Sequence, residues 1–337
     1  MELKAFIGVD VSKSTLDFAV SMEGKIVLEK HVENNLSGIK SFTKEFVKRL
    51  SVANSQLVYC MEHTGIYCNH LLDYLTKEKI AVCLENPLAI KAFFGMARGK
   101  NDQLDARRIA EYAYSKRDKI KLWTPPREII KKIKNLLLTR ERLVKVRKSL
   151  TMPVKEADGF VDKDFVKMDK RIIEPIVEKL NSQIKVIEQQ LEEIIKEDTN
   201  LKSLNKVVSS VIGVGPIVSA NVIVATNEFK NISDPKKMAC HSGVAPFRYT
   251  SGVTIKSKAK VSHKADKKLK SLFFLAARAA VTAKGELREY YHRKVKEGKN
   301  KMTVFIAVAN KIIRRIFSCV KRNEKYEKIF VHPLAKP

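Results

Sequence analysis

A chain of 337 residues with 45% apolar content is long enough to bury a proper core, and by length it divides more readily into two domains than one. Lys and Arg number 65 against 37 Asp and Glu, a net charge of +28 and a pI of about 9.8, which is the balance of a chain that meets nucleic acid or, with less reason, an anionic membrane surface. No window approaches the roughly 18 uninterrupted apolar residues of a membrane span, and the five cysteines are scattered without a C-x-x-C pair, so neither a zinc site nor a disulfide framework is indicated.

The opening MELKAFIGVD lacks a charged-then-apolar leader layout and runs straight into strand-like sequence, so a cytoplasmic location is expected. AFIGVDVS is an apolar, β-rich run, STLDFAVS alternates, MEGK supplies a turn and KIVLEKHVE alternates again. These read as three hairpin-linked strands. A helix pattern follows in LSGIKSFTKEFVKRL, then a buried strand at LVYCME, a helix at IYCNHLLDYLTKE, a strand at IAVCLE and a short helix opened by Pro87. Thr64 and Gly65 read as a helix start, with Thr64 as cap. The order predicts an α/β layer fold around one mixed sheet.

The acids fall in telling places. Asp10 lies within the first strand, Glu62 ends the fourth, and Asp102 with Asp105 opens a helix after the fifth. Ligands gather at strand ends of open α/β sheets. Asp102 and Asp105 are surface neighbours on a helix and repel each other unless water covers them or a cation sits between them. Arg107 and Arg108 follow at once.

Two consecutive prolines in W-T-P-P at 123–126 rule out a continuous helix and mark a boundary. REIIKKIKNLLLTRERLVKVRKSL is a basic amphipathic helix, whose Arg140, Arg142, Arg147 and Lys148 point outward; GFVDKDFVKMDK interrupts it as loop or short helix. Ile173, Val177, Leu180, Ile184, Ile187, Leu191 and Ile194 then form a heptad seam, closing on a partner within the chain or between chains. SVIGVGPIVSANVIVA at 210–225 has the pattern of a helix-hairpin-helix turn, in which Gly213 and Gly215 let backbone amides approach a phosphate; the same glycines also serve a plain packing bend. In the stretch 241–281, Ser251 sits in a turn-prone context after Arg248, with Lys256, Lys258, Lys260 and Lys264 downstream. A serine hydroxyl is a poor nucleophile unless its proton is removed or its alkoxide stabilised, and nearby lysines or a metal do either. Residues 201–337 carry 29 basic and 8 acidic side chains, so most of the excess charge is at the back. Two basic amphipathic helices and a peripheral tail complete the chain.

The segments I-G-V-D-V-S-K at 7–13, E-H-T-G-I-Y at 62–67 and N-D-x-x-D-A-R at 101–107 resemble the DEDD transposases of bacterial insertion sequences, relatives of the pilin-gene invertase with a RuvC-like (ribonuclease H-like) front domain. G-V-A-P-x-R-x-x-S-G at 243–252 is similar to the C-terminal transposase domain of the same family, where the serine before glycine becomes joined to DNA; Ser251 matches that position and Ser242 a site usually filled by a small residue. His263 and Ala265 depart from the family's Lys and Gly, which puts the turn near residue 265 in doubt.

The resemblance implies a RuvC-like metal-binding domain over 1–122, a helical coiled-coil linker over 127–200 that joins subunits as a dimer or tetramer, and a mainly α-helical transposase domain over 204–330. It implies Asp10, Glu62, Asp102 and Asp105 as metal ligands and catalytic acids, and Ser251 as nucleophile, supplied to the acids of another subunit. Hard oxygen ligands favour Mg²⁺, or Mn²⁺ in its place. Arg107, Arg108, Gly213, Gly215, Arg248, Lys256, Lys258, Lys260 and Lys264 are expected on nucleic acid. The partners implied are donor and target DNA and a structured guide (bridge) RNA encoded by the element, in a bacterial, nucleoid-associated setting. The alternative is a RuvC-like metal-dependent junction endonuclease, in which water replaces the serine.

Overall fold

A computed structural model describes residues 3–95, 101–247, 250–251, 255–256, 261 and 265–327; at 250, 251, 255 and 256 it describes the backbone alone. The chain separates into two units, Met1–Pro125 and Pro126–Pro337.

The first unit holds β1 (Ala5–Val11), β2 (Thr15–Met22), β3 (Lys25–Glu33), α1 (Leu36–Leu50), β4 (Leu57–Glu62), α2 (Asn69–Lys77), β5 (Ala81–Glu85), α3 (Pro87–Phe94) and α4 (Asp102–Ser115). The sheet order is β3-β2-β1-β4-β5. The first three strands are antiparallel, and β4 and β5 join parallel to β1, so the expected mixed sheet is found. Glu23 (φ 48°) and Gly24 (φ 80°) are both left-handed, the signature of a two-residue primed turn, and this sets Met22 opposite Lys25. Parallel strands need crossovers, which α1 and α2 supply.

Alternation decides what each face carries. Ile7, Val9, Leu16, Phe18, Tyr59 and Met61 pack against Ile39, Phe42 and Phe46 of α1 and Leu71 and Leu75 of α2, with the Phe18 and Phe42 rings stacked at 4.0 Å. The opposite face sets Phe6, Val58, Cys60 and Cys83 against Ile90 of α3 and Ile109 and Tyr112 of α4. Strands covered on both faces read as unbroken apolar runs, which is why LVYCME and IAVCLE lack a polar rhythm. Thr64 makes no side-chain cap; its hydroxyl lies 3.1 Å from the Cys68 Sγ, while Gly65 takes φ +76° and opens a short 3₁₀ turn, Gly65–Cys68.

The second unit holds α5 (Glu128–Glu156), α6 (Lys163–Glu197), α7 (Thr199–Ser209), α8 (Pro216–Thr226), α9 (Pro235–His241), the short strands β6 (Thr250–Ser251) and β7 (Ile255–Lys256), α10 (Lys267–Thr282), α11 (Glu286–Lys296) and α12 (Lys301–Arg322). The interruption expected at GFVDKDFVKMDK is shorter than its sequence suggests. Asp162 accepts from the Asp164 amide at 2.8 Å and starts α6 one residue later, so most of that stretch is helix.

The C-terminal half of the heptad seam turns inward. Ile187 and Leu191 share one core with Ile130, Ile133 and Leu137 of α5, and Ile184 is buried beside them. Of the two closures open to the seam, this part of it takes the one within the chain: α5 offers a matching stripe across a short connection, and a short loop is cheap to close. A second apolar row, Phe165, Met168, Ile172 and Ile176, stays exposed on α6.

At the base of this hairpin Arg127 donates to Asp198 at 2.7 and 3.2 Å and to Glu228 at 2.6 and 3.1 Å, tying the start of α5 to the cap of α7 and the residues after α8. Helix α8 is apolar all round because it is buried on two sides: Val218 and Val222 join the core formed with α7, α10 and α12, while Ala220 and Ile223 join that of α5 and α6.

Candidate active site

Gly8 is where α4 comes down onto β1. It sits on the α4 side of β1, paired with Ala19 of β2 and Cys60 of β4. A Cβ added there meets the Ala106 carbonyl at 2.2 Å and the Ala110 amide at 2.3 Å. Only glycine lets the α4 backbone lie directly on the strand. Ala19, Ala106 and Ala110 complete a patch of small residues beneath the helix. Two positions on from Gly8 the same face carries Asp10, and α4 brings Asp102 and Asp105 in its first turn. Asn101 caps that turn, accepting from the Gln103 amide at 3.0 Å, and two acids are favourable there because the helix dipole is positive at its start. Glu62 ends β4 on the same face, opposite Glu85 of β5.

Electrostatics shows the convergence. Asp10 is pushed up to about 6, by burial first and then by the carboxylates of Asp102, Asp105, Asp17 and Glu62. Glu62 is also raised, by burial and by Asp105, against the pull of Lys91. Each of the other three acids expected from the sequence thus bears on Asp10, and Asp105 bears on Glu62. Among the described residues they do not form a ready-made cage: no three His, Cys, Asp or Glu side chains stand together as a metal-binding group. The donor set nonetheless suits a hard divalent cation, since every member is a carboxylate and their mutual repulsion is what such a charge relieves.

The arginines beside the acids are already engaged. Arg107 pairs with Glu29 of β3, and Arg108 donates to Asp105 at 3.1 Å. The Glu85 carboxylate accepts from the Tyr112 hydroxyl at 3.0 Å and the Asn86 amide at 2.8 Å.

In the second unit the two hairpin glycines part company. Gly213 has φ +90°, and a Cβ on it meets the Ala276 carbonyl at 2.3 Å, so its role is close packing against α10. Gly215 faces open space and begins α8 with no side-chain cap, leaving that helix start accessible. Ser251 lies on β6, opposite Ile255, and Lys256 opposite Thr250, in an antiparallel ribbon. Arg248, Lys258, Lys260 and Lys264 lie outside the described residues. Ser242 is fully buried and donates to the Met238 carbonyl at 2.8 Å, a packing role.

Three contributors escaped the sequence reading. Gly8 inside a strand pattern is itself a signal of close backbone approach. Asp17 was also legible, since STLDFAVS puts Leu16, Phe18 and Val20 on the core side and so Asp17 on the face of Asp10. Lys91 carried no local signal; only the fold brings it to Glu62.

Comparison with known proteins adds the following. Residues 7–157 match a family model described as Transposase, and residues 205–292 match one described as Transposase IS116/IS110/IS902 family. An insertion element IS116 uncharacterized 44.8 kDa protein of Streptomyces clavuligerus is 25% identical over 119 residues, 35% of this chain and 29% of that protein. An insertion element IS110 uncharacterized 43.6 kDa protein of Streptomyces coelicolor is 26% identical over 155 residues, 45% of this chain and 38% of that protein. The matched region thus spans less than two fifths of either relative's length. Among solved structures, T. thermophilus RuvC in complex with Holliday junction substrate is similar at a TM-score of 0.29 and 13% identity, covering 36% of this chain and 99% of that one. A second Thermus thermophilus RuvC structure is similar at a TM-score of 0.26 and 15% identity, covering 35% and 99%.

Proposed function

We propose that this chain is a transposase of the IS116/IS110/IS902 type, as the matches of residues 7–157 and 205–292 to transposase family models support, and that it cuts and rejoins DNA, using a carboxylate-held divalent metal and a serine nucleophile. The observation that carries this reading is the field at Asp10, where burial and four surrounding carboxylates combine. Asp10, Glu62, Asp102 and Asp105 would hold Mg²⁺ or Mn²⁺, with Lys91 balancing charge at Glu62. A bound ion supplies charge neutralisation and Lewis acidity at a scissile phosphate. Arg107 and Arg108 orient the carboxylates they pair with and offer guanidinium edges to phosphate.

Ser251 attacks the scissile phosphorus through Oγ. A new P–O bond forms to serine, the bond to the leaving deoxyribose oxygen breaks, and the hydroxyl proton ends on that oxygen. The phosphoserine ester conserves the bond free energy, so attack by a second DNA hydroxyl rejoins strands without a nucleotide cofactor. The resemblance supports delivery of Ser251 from a second copy, and the exposed row Phe165, Met168, Ile172 and Ile176 supports assembly into a dimer or tetramer. It also supports a guide RNA of the same element, in which pairing reads sequence and protein reads shape. A net charge of +28 suits both nucleic acids. Among the described residues no helix is long and apolar enough to cross a membrane.

The test is a denaturing gel scored for protein covalently attached to labelled DNA. Wild-type protein with Mg²⁺ forms the adduct, Ser251→Ala forms none, and Asp10→Ala forms none despite an intact serine. Strand cutting that persists in Ser251→Ala with no adduct replaces this reading by a junction endonuclease that uses water.

A further inference from the structure

We propose that Asp17, held by His31, is a positioning residue of the candidate metal centre: a fixed, buried negative charge that strengthens divalent-cation binding without being one of the four ligands. This inference rests on the metal-binding reading above.

Asp10, Asp17 and His31 form one row across three strands, since Asp10 is the register partner of Asp17 and Asp17 that of His31. Register partners point to the same face, with strands about 4.8 Å apart. Two carboxylates directly opposite each other in a sheet are destabilising. Here one of them, Asp17, is only 3% exposed, which makes the repulsion costlier still. His31 Nδ1 lies 2.9 Å from Asp17 Oδ1, with its ring half exposed at the rim.

That bond does not by itself require a carboxylate. An asparagine oxygen accepts the same hydrogen bond without repelling Asp10. What an aspartate adds at position 17 is a second carboxylate set directly opposite Asp10 in the sheet. With Oδ1 committed to His31 and the side chain buried, Asp17 is placed to act on a cation held by Asp10 through its field. Outer carboxylates of this kind tune metal affinity strongly. In the neighbouring row, Glu29 of β3, the register partner of Ala19, is taken by Arg107.

The experiment measures Mn²⁺ affinity by electron paramagnetic resonance and metal-free melting by calorimetry, on the full chain, with no DNA present. Wild type, Asp10→Asn, Asp17→Asn, His31→Gln and His31→Ala are compared. We expect Asp17→Asn to weaken Mn²⁺ binding by about tenfold while raising the metal-free melting temperature by about 2–4 °C. His31→Gln, whose amide still donates to Asp17, stays near wild type, and His31→Ala lies between. A merely structural Asp17 gives the opposite pattern: a lower melting temperature with unchanged affinity. Mn²⁺ binding in wild type that Asp10→Asn removes but Asp17→Asn and His31→Ala leave intact overturns this proposal and spares the metal reading. Absence of binding in wild type sinks both. Should Asp17→Asn fail to fold, the His31→Ala and His31→Gln pair carries the same comparison.

Discussion

Asp10 carries the most informative charge in the first unit. Its carboxyl is raised from 3.8 to about 6, so the folded protein binds that proton more tightly than the unfolded chain does. The stabilising contribution is therefore complete below pH 3.8 and is lost as pH rises through about 6. Above that pH, Asp10→Asn removes an unfavourable charge, and the metal-free variant should be more stable than wild type. The ceiling set by the shift is about 3 kcal/mol, and solvent screening brings the expected gain to about 1–2 kcal/mol. Urea unfolding in EDTA at pH 7.5 and at pH 3.5 checks it: the gain should be present at the first and absent at the second. Mg²⁺ should stabilise wild type and leave the variant unmoved. Gly8→Val should act in the other direction, forcing α4 off β1 at a cost of about 3 kcal/mol or more, and it should also abolish Mn²⁺ binding as Asp102 and Asp105 retreat from Asp10. Loss of stability without loss of metal binding would contradict the close-approach role of Gly8. Sequence exposes the acids by type and order, yet the distance between Asp10 and α4 depends on a missing methyl group, which becomes informative only once strand and helix are seen in contact.

At the scale of elements, the hairpin before α8 separates two glycines that look alike in V-I-G-V-G-P. Gly213→Ala places a methyl against the Ala276 carbonyl at a left-handed φ, and should cost about 2–4 kcal/mol by urea unfolding. Gly215→Ala meets open space and should cost about 1 kcal/mol or less. Equal effects would remove the distinction between packing and exposed glycine. The strands and the helical stretches are readable because their apolar periods are strong: 2 in β2 and β3, 3.5 along α6. What the period leaves open is the partner. A seam of Ile184, Ile187 and Leu191 fits a neighbouring chain or a neighbouring helix equally well, and the choice belongs to α5, whose Ile130, Ile133 and Leu137 repeat at matching intervals. The connection to α6 was harder to read because Phe160, Val161, Phe165 and Met168 are apolar yet exposed, so burial and hydrophobicity part ways there.

For the molecule as a whole, charge sets the terms of association. Of the 28 excess positive charges, residues 201–337 supply 21, the difference between 29 basic and 8 acidic side chains. Binding to duplex DNA should weaken steeply with salt, by about 10³-fold or more between 50 and 200 mM if some six phosphates are neutralised. Fluorescence anisotropy against NaCl concentration measures the slope, and a flat response would rule out phosphate contacts as the main source of affinity. Arg127 gives the second unit a mechanical character of its own. Helix α5 runs for 29 residues, about 43 Å, with its root bolted by one guanidinium to two carboxylates and its far end bearing greasy, uncovered side chains on the helix beside it. Such an arm has a reach fixed by its helix length, so a partner engaged at the tip would stand about 43 Å from the Arg127 anchor, and its pull would pass to α7 and α8 through that side chain.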